Sequence, residues 1–134
     1  MIYVDANYWI YWFDERSPEH KHVLSTMRES IREGILMNLV TLIEIAHYFR
    51  HLPRDDFENG LTAIQDLDTL TLVNLDHEIC RLAFEQLMEH AKIGIGGRDS
   101  VILATMKASG VKTIATHDSV FKRVKSVKVI DSIP

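Results

Sequence analysis

Cysteine is nearly absent: the chain of 134 residues holds one, Cys80. A lone cysteine closes no internal disulfide, so a reducing compartment is the simpler expectation, and Cys80 lies among apolar helix positions where packing is its ordinary role. No apolar run approaches the length of a membrane span; Tyr8 to Phe13 is far too short to cross a bilayer. The start, Met1-Ile2-Tyr3-Val4-Asp5, lacks the basic residues and apolar stretch of a signal peptide. A cytoplasmic location is expected, with no membrane partner. There is no excess of positive charge either. The net charge of −4 argues against broad electrostatic capture of nucleic acid. It leaves room for a nuclease, because bound metal reverses the sign of a local carboxylate site. No repeat, low-complexity stretch or linker interrupts the chain.

What remains has the balance of an ordinary globular protein, 46% hydrophobic and 25% charged. This length suits one domain, residues 1–134, with a core that needs no disulfides. Short apolar runs alternate with longer helical patterns. Ile2–Asp5 reads as a strand. Ser17-Pro18 reads as the start of a helix that runs to about Glu33. Ile35–Val40 is a second apolar run, and Thr41 begins a helix that Pro53 stops. Asp55 caps a helix to about Leu67. Leu70–Leu75 alternates like a strand. Asp76 caps a helix to about Lys92, and Gly94–Gly97 is a loop. Arg98–Ser109 is helical, Gly110 ends it, and Val111–Thr116 is a strand. A helical turn near Val120–Val124 and a strand Val127–Ile130 complete the chain. Strands separated by helices predict an α/β domain of three layers, α/β/α, around a mostly parallel sheet. Strand order does not follow from the sequence.

In such sheets ligands bind beyond the carboxyl ends of the strands. Four acids are expected there. Asp5 ends the first strand. Glu44 lies in the first turn of the helix after the second. Asp99 opens a helix that should run back antiparallel to the strand it feeds. Asp118 follows the strand ending at Thr116. Each has an ordinary role taken singly: Asp5 and Asp118 as turn or cap residues, Asp99 as an N-cap. Glu44 points away from the core stripe of Leu42, Ile45, Ala46 and Phe49, with His47 and His51, which makes it a solvated acid by amphipathicity alone. These roles do not account for four acids at one edge.

The segments Ile2-Tyr3-Val4-Asp5-Ala6-Asn7, Thr41-Leu42-Ile43-Glu44, Arg98-Asp99-Ser100-Val101-Ile102-Leu103-Ala104-Thr105 and Thr116-His117-Asp118-Ser119-Val120-Phe121, in this order and spacing, resemble the PIN-domain family, and at this length its VapC-type toxins. The resemblance covers essentially the whole chain. It implies hydrolysis of RNA phosphodiester bonds by a metal-activated water, with no covalent enzyme intermediate. It also implies a cognate antitoxin and a homodimer. Asp5 and Asp99 are the first choice as ligands of Mg²⁺ or Mn²⁺, which suit carboxylate oxygens. Glu44 and Asp118 bind metal, hold its waters or help deprotonate the attacking water. Thr116 and Asn7 support them, Asn7 by a hydrogen bond to Asp5. Arg98 pairs with Asp99 or contacts phosphate. His117 and Ser119-Val120 depart from the commonest form of the last motif without removing a core acid, and they leave the number of metal ions open.

Other features carry less. Glu44, His47 and His51 share a helical face but are not a His-Glu-x-x-His zinc motif. His20 and His22 alternate and read as solvated. Gly94–Gly97 lacks the preceding strand of a phosphate-binding loop. Lys122, Arg123, Lys125 and Lys128 form a basic stretch that suits a solvated face better than an RNA contact. Tyr8, Trp9, Tyr11, Trp12 and Phe13 crowd one segment; an interface near an antitoxin groove is expected of them, with completion of the core as the alternative. Two other functions compete. A haloacid-dehalogenase-like phosphatase uses a strand-ending Asp as nucleophile, but normally has another Asp where Asn7 stands, and is longer. A non-catalytic PIN-like scaffold would bind RNA or partners only; the presence of all four acids weighs against it.

Overall fold

The computed structural model describes residues 1–134. In chain order the elements are β1 (Ile2–Val4), α1 (Ala6–Phe13), α2 (His20–Glu33), β2 (Ile35–Asn38), α3 (Leu39–Phe49), α4 (Arg54–Gln65), β3 (Leu70–Val73), α5 (His77–Glu89), α6 (Gly97–Ser109), β4 (Thr113–Ala115), a 3₁₀ turn (Ser119–Arg123) and β5 (Lys128–Ile130). The five strands form one sheet in the order β3-β2-β1-β4-β5, parallel throughout. This is the expected three-layer α/β/α arrangement. No helix is long and apolar enough to cross a membrane.

The layers follow from side-chain alternation along the strands. Ile2 and Val4 face one side with Ile35 and Met37 of β2, where Trp9, Val23, Met27, Ile45, Phe49 and Ile64 of α1 to α4 cover them. Tyr3, Leu36 and Ile114 face the other side, against Ile102, Leu103 and Met106 of α6 and Phe121 of the 3₁₀ turn. Helix α5 packs outside through Ile79 and Ala83, which meet Ala104. Because β1 is covered on both faces, all three of its residues are buried and apolar.

Several boundaries differ from those read in the sequence. The sequence gives no sign that Ala6–Phe13 is helical: its eight residues show no polar stripe, so their period is hidden. Asp5 starts it, accepting from the Ala6 N–H at 2.8 Å, and so lies just beyond the strand rather than in it. Asn38 splits the apolar run Ile35–Val40, because its side chain accepts from the Val40 N–H at 3.0 Å and caps α3 at once. Glu44 therefore lies in the second turn of α3, not the first. Ser17 does not cap α2; its hydroxyl donates backward to the Asp14 carbonyl at 2.9 Å, and the helix begins at His20. Helix α4 begins at Arg54, with Asp55 and Asp56 in the first turn, where the helix dipole favours acids. Asp76 caps α5 as expected, accepting from the Ile79 N–H at 2.9 Å, and Gly110 ends α6 in the left-handed conformation, φ 68°.

Tyr8 and Trp9 are wholly buried, which assigns them to the core and withdraws them from any interface. Tyr11, Trp12 and Phe13 are half-buried against the same cluster. The rings stack edge to face in series, Trp9 to Trp12 at 5.9 Å, Trp12 to Phe13 at 5.2 Å and Phe13 to Phe49 at 5.2 Å.

Candidate active site

The sheet order reverses direction between β1 and β4, and a crevice opens at the carboxyl ends of strands on either side of such a switch point. Asp5 follows β1 and Thr116 follows β4. Their side chains meet there: the Thr116 hydroxyl donates to Asp5 Oδ2 at 2.8 Å. Asp5 is almost wholly buried, 1% exposed at its side chain. It is held from two elements, by Thr116 and by the Ala6 N–H on Oδ1.

Asp118 is placed by the same hydroxyl, since its N–H donates to Thr116 Oγ1 at 3.0 Å while its own Oδ1 accepts from the Val120 N–H at 3.1 Å. Asn7 donates to Thr116 Oγ1 at 3.3 Å and accepts from the His117 N–H at 3.2 Å. Its support of Asp5 is thus indirect, through Thr116. The direct hydrogen bond expected from the sequence is not formed, because Thr116 and Ala6 already satisfy that carboxylate.

Asp99 does not cap α6 from the N-cap position, which Gly96 occupies. It sits in the first turn, and its Oδ2 accepts from the Gly96 N–H at 3.2 Å. The capping role is real, and it uses only one oxygen. Glu44 is half-buried and turns toward the other acids, while His47 and His51 stay exposed. Helical periodicity reads Glu44 as solvated because its neighbour across the crevice comes from α6, more than fifty positions away in the chain.

The four acids converge on one group, the guanidinium of Arg98. Nη1 lies 3.1 Å from Asp5 Oδ1 and 3.1 Å from Glu44 Oε1. Nη2 lies 2.9 Å from Asp99 Oδ1 and 3.4 Å from Asp118 Oδ2. The sequence suggests the pair with Asp99; the bridge to the other three depends on the tertiary fold. Burial pushes the Glu44 and Asp99 carboxyls above their usual range, against the opposing pull of Arg98 and, for Asp99, of the Gly96 N–H. Burial disfavours the charged Arg98, but Asp5, Glu44 and Asp99 outweigh it, so its proton is held more tightly than usual.

As the side chains stand, no three His, Cys, Asp or Glu groups are arranged to hold one ion; the acids face the guanidinium instead. The donor chemistry nonetheless fits a hard divalent cation. All four inward groups are carboxylate oxygens, and each lies within 3.4 Å of a cationic nitrogen.

Residues 2–127 match the PIN domain family. The chain belongs to that family. Solved structures agree on the fold of this PIN domain. VapC20 of Mycobacterium tuberculosis, described as a sarcin-ricin loop cleaving toxin, is 16% identical with a TM-score of 0.78, over 96% of this chain and 98% of that one. VapBC2 of Rickettsia felis, bound to a DNA fragment from its promoter, gives 18% identity and a TM-score of 0.73 over 98% of each chain. FitAcB of Neisseria gonorrhoeae gives 20% and 0.72, over 97% and 96%. No curated protein matches the chain. The family assignment replaces the dehalogenase-like alternative.

A cluster beside the site was missed in the sequence. Asp131, only 7% exposed at its side chain, holds the His117 ring at 3.1 Å and Lys122 Nζ at 3.0 Å, and accepts from the Ile133 N–H at 3.2 Å. One member of the basic stretch is thereby tied to the domain. Burial alone would raise the Asp131 pKa, but the bonds from Lys122, His117 and Ile133 outweigh it and hold it below the usual range. A depressed folded pKa contributes stability that is full above the unfolded value and lost as pH falls through the folded one. Glu44 and Asp99, with raised folded values, work in the opposite sense: their contribution is greatest at low pH and is lost as pH rises through those values. Urea unfolding of the native chain and Asp131→Asn, from neutral pH to below about pH 4, isolates the Asp131 share. The native chain should lose its advantage over the variant on acidification; a constant difference would refute this.

Proposed function

We propose that this PIN domain is an endoribonuclease that hydrolyses RNA phosphodiester bonds with a metal-activated water, and that it is the toxin of a type II toxin–antitoxin pair. The observation that carries the reading is the convergence of Asp5, Glu44, Asp99 and Asp118 on one cation at the switch point of the sheet. Asp5 and Asp99 are the primary ligands for Mg²⁺ or Mn²⁺, with Asp118 and Glu44 binding the ion or holding its waters. When bound, the ion supplies a nucleophilic water of lowered pKa and neutralises charge on the phosphate oxygens.

The chain's own groups do the rest. Thr116 and the Ala6 N–H fix Asp5 so that its carboxylate needs no rearrangement. Glu44 is more open to solvent than Asp5, and burial makes it more basic than an ordinary glutamate, which suits it to take a proton from the attacking water. Four carboxyl groups face one guanidinium in the crevice, and a divalent cation there would offset their repulsion of phosphate.

The test is cleavage of total RNA by purified protein with Mg²⁺ or Mn²⁺. Cleavage should stop with EDTA and return on adding back the metal. Activity that survives thorough chelation would overturn the metal-dependent mechanism. A folded protein that cuts no RNA under any of these conditions would favour the non-catalytic scaffold. An antitoxin partner is supported by neighbours that are toxin–antitoxin complexes. A cytoplasmic homodimer belongs to the same reading, and sedimentation of the purified chain measures it.

A further inference from the structure

Every acid in the crevice offers one oxygen inward, and for three of them the other oxygen is already taken. Asp5 Oδ2 accepts from Thr116, Asp99 Oδ2 from the Gly96 N–H, and Asp118 Oδ1 from the Val120 N–H. The oxygens that face a ligand are Asp99 Oδ1, Asp118 Oδ2 and Glu44 Oε1, with Asp5 Oδ1, which also accepts from the Ala6 N–H. These are the four that Arg98 engages. Its two terminal nitrogens bridge the ends of β1 and β4 with α3 and α6. No other lysine or arginine pairs with any of the four acids. The Arg98 side chain is 32% exposed, so it borders solvent and has a way out.

We propose that Arg98 is the built-in counter-ion of this site, and that a divalent cation binds by displacing it. The inference rests on the metal-dependent reading above. Four carboxylates so close repel one another, and the guanidinium offsets that repulsion in the metal-free protein. A divalent ion offsets more of it from a smaller volume, but needs the same oxygens. The two occupants therefore exclude each other. Metal uptake carries the cost of breaking four charge-assisted contacts, and the metal-free fold is stabilised by an internal cation.

The experiment is calorimetric titration of the full chain with Mn²⁺, for the native protein, Arg98→Gln and Arg98→Lys. Loss of the competitor should tighten Mn²⁺ binding by at least about tenfold in Arg98→Gln, the factor matching one charge-assisted contact. Lysine, a point charge without the planar fork, should give an intermediate affinity. Arg98→Gln should also melt lower without metal and recover with Mn²⁺. Equal or weaker Mn²⁺ binding by the glutamine variant, or no binding by any of the three proteins, would overturn the proposal. Should Arg98→Gln fail to fold, the Arg98 Nε–Hε resonance of the native chain decides. It should shift and exchange faster with solvent at saturating Mg²⁺, and an unmoved resonance would overturn displacement. None of these measurements needs RNA, so a failure of the nuclease reading is told apart: RNA left uncut with the affinity shift present defeats the nuclease alone, and RNA cut with the affinities equal defeats only the role of Arg98.

Discussion

Replacing Asp99 by Asn should lower RNA cleavage by at least about a hundredfold, beyond what loss of a metal ligand's supporting partner costs, while leaving the fold in place. The two oxygens of Asp99 make the outcome separable. Oδ2 caps α6 through the Gly96 N–H, and an asparagine carbonyl oxygen accepts that bond equally well. Oδ1 faces Arg98 and the other acids, and there the charge is what matters. Because burial raises the Asp99 pKa, the folded protein holds this negative charge at a cost. Removing it should leave the unfolding temperature unchanged or slightly higher. Cleavage rate and thermal unfolding, measured on one preparation, give the result. A folded Asp99→Asn variant that cuts RNA at the native rate would assign Asp99 to capping alone. Asp5→Asn should lose activity as fully, with a larger loss of stability. Both of its oxygens accept hydrogen bonds, and an amide group in either place would set a donor against Thr116 or against Ala6 and Arg98.

Trp9→Ala should cost roughly 3–5 kcal/mol, a large part of the about 5–15 kcal/mol that holds a domain together. Trp9 is 0% exposed, lies under the sheet among Ile2, Val4 and Met37, and donates from Nε1 to the Val4 carbonyl at 3.2 Å. Alanine leaves a cavity at the end of β1, just before Asp5, and removes the bond from Nε1 to the Val4 carbonyl. Trp12→Ala should cost less, because that ring is half-buried and its contacts with Trp9 and Phe13 are edge-on. Thermal unfolding should place Trp9→Ala at least about 10 °C below the native chain, with Trp12→Ala between them. Native-like unfolding of Trp9→Ala would contradict its place in the core.

Much of this site is legible in the sequence because its parts sit where strands end. Asp5 and Asp118 follow apolar runs, and Asp99 stands in the first turn of a helix whose middle, Val101 to Thr105, is apolar enough to be buried. Glu44 is the instructive exception. Its own helix assigns it to solvent, and only its place in the order of motifs speaks for it. Arg98 is harder still. Adjacency suggests its pair with Asp99, but its reach to Glu44 and Asp5 is set by the packing of α6 against β2 and α3, which no local pattern encodes. Helix α1 is hidden because Asn7 is its one strongly polar side chain, and periodicity needs a polar stripe to be seen. The early start of α3 was legible in principle, since asparagine is among the strongest N-caps; the unbroken apolar run around Asn38 masked it.

The position of β1 bears on when the crevice is assembled during synthesis of the chain. Of the five strands, the first to be made sits at the centre of the sheet, and one of its two neighbours, β4, is Thr113–Ala115. A ribosome-bound chain ending before that strand already contains Asp5, Glu44 and Asp99. It lacks the Thr116 hydroxyl that holds Asp5, lacks Asp118, and leaves one edge of β1 unpaired. Contacts between such distant positions form late and slowly. The crevice is thus completed only when β4, Thr116 and Asp118 have emerged, so a shorter nascent chain carries most of the acids without the frame that brings them together.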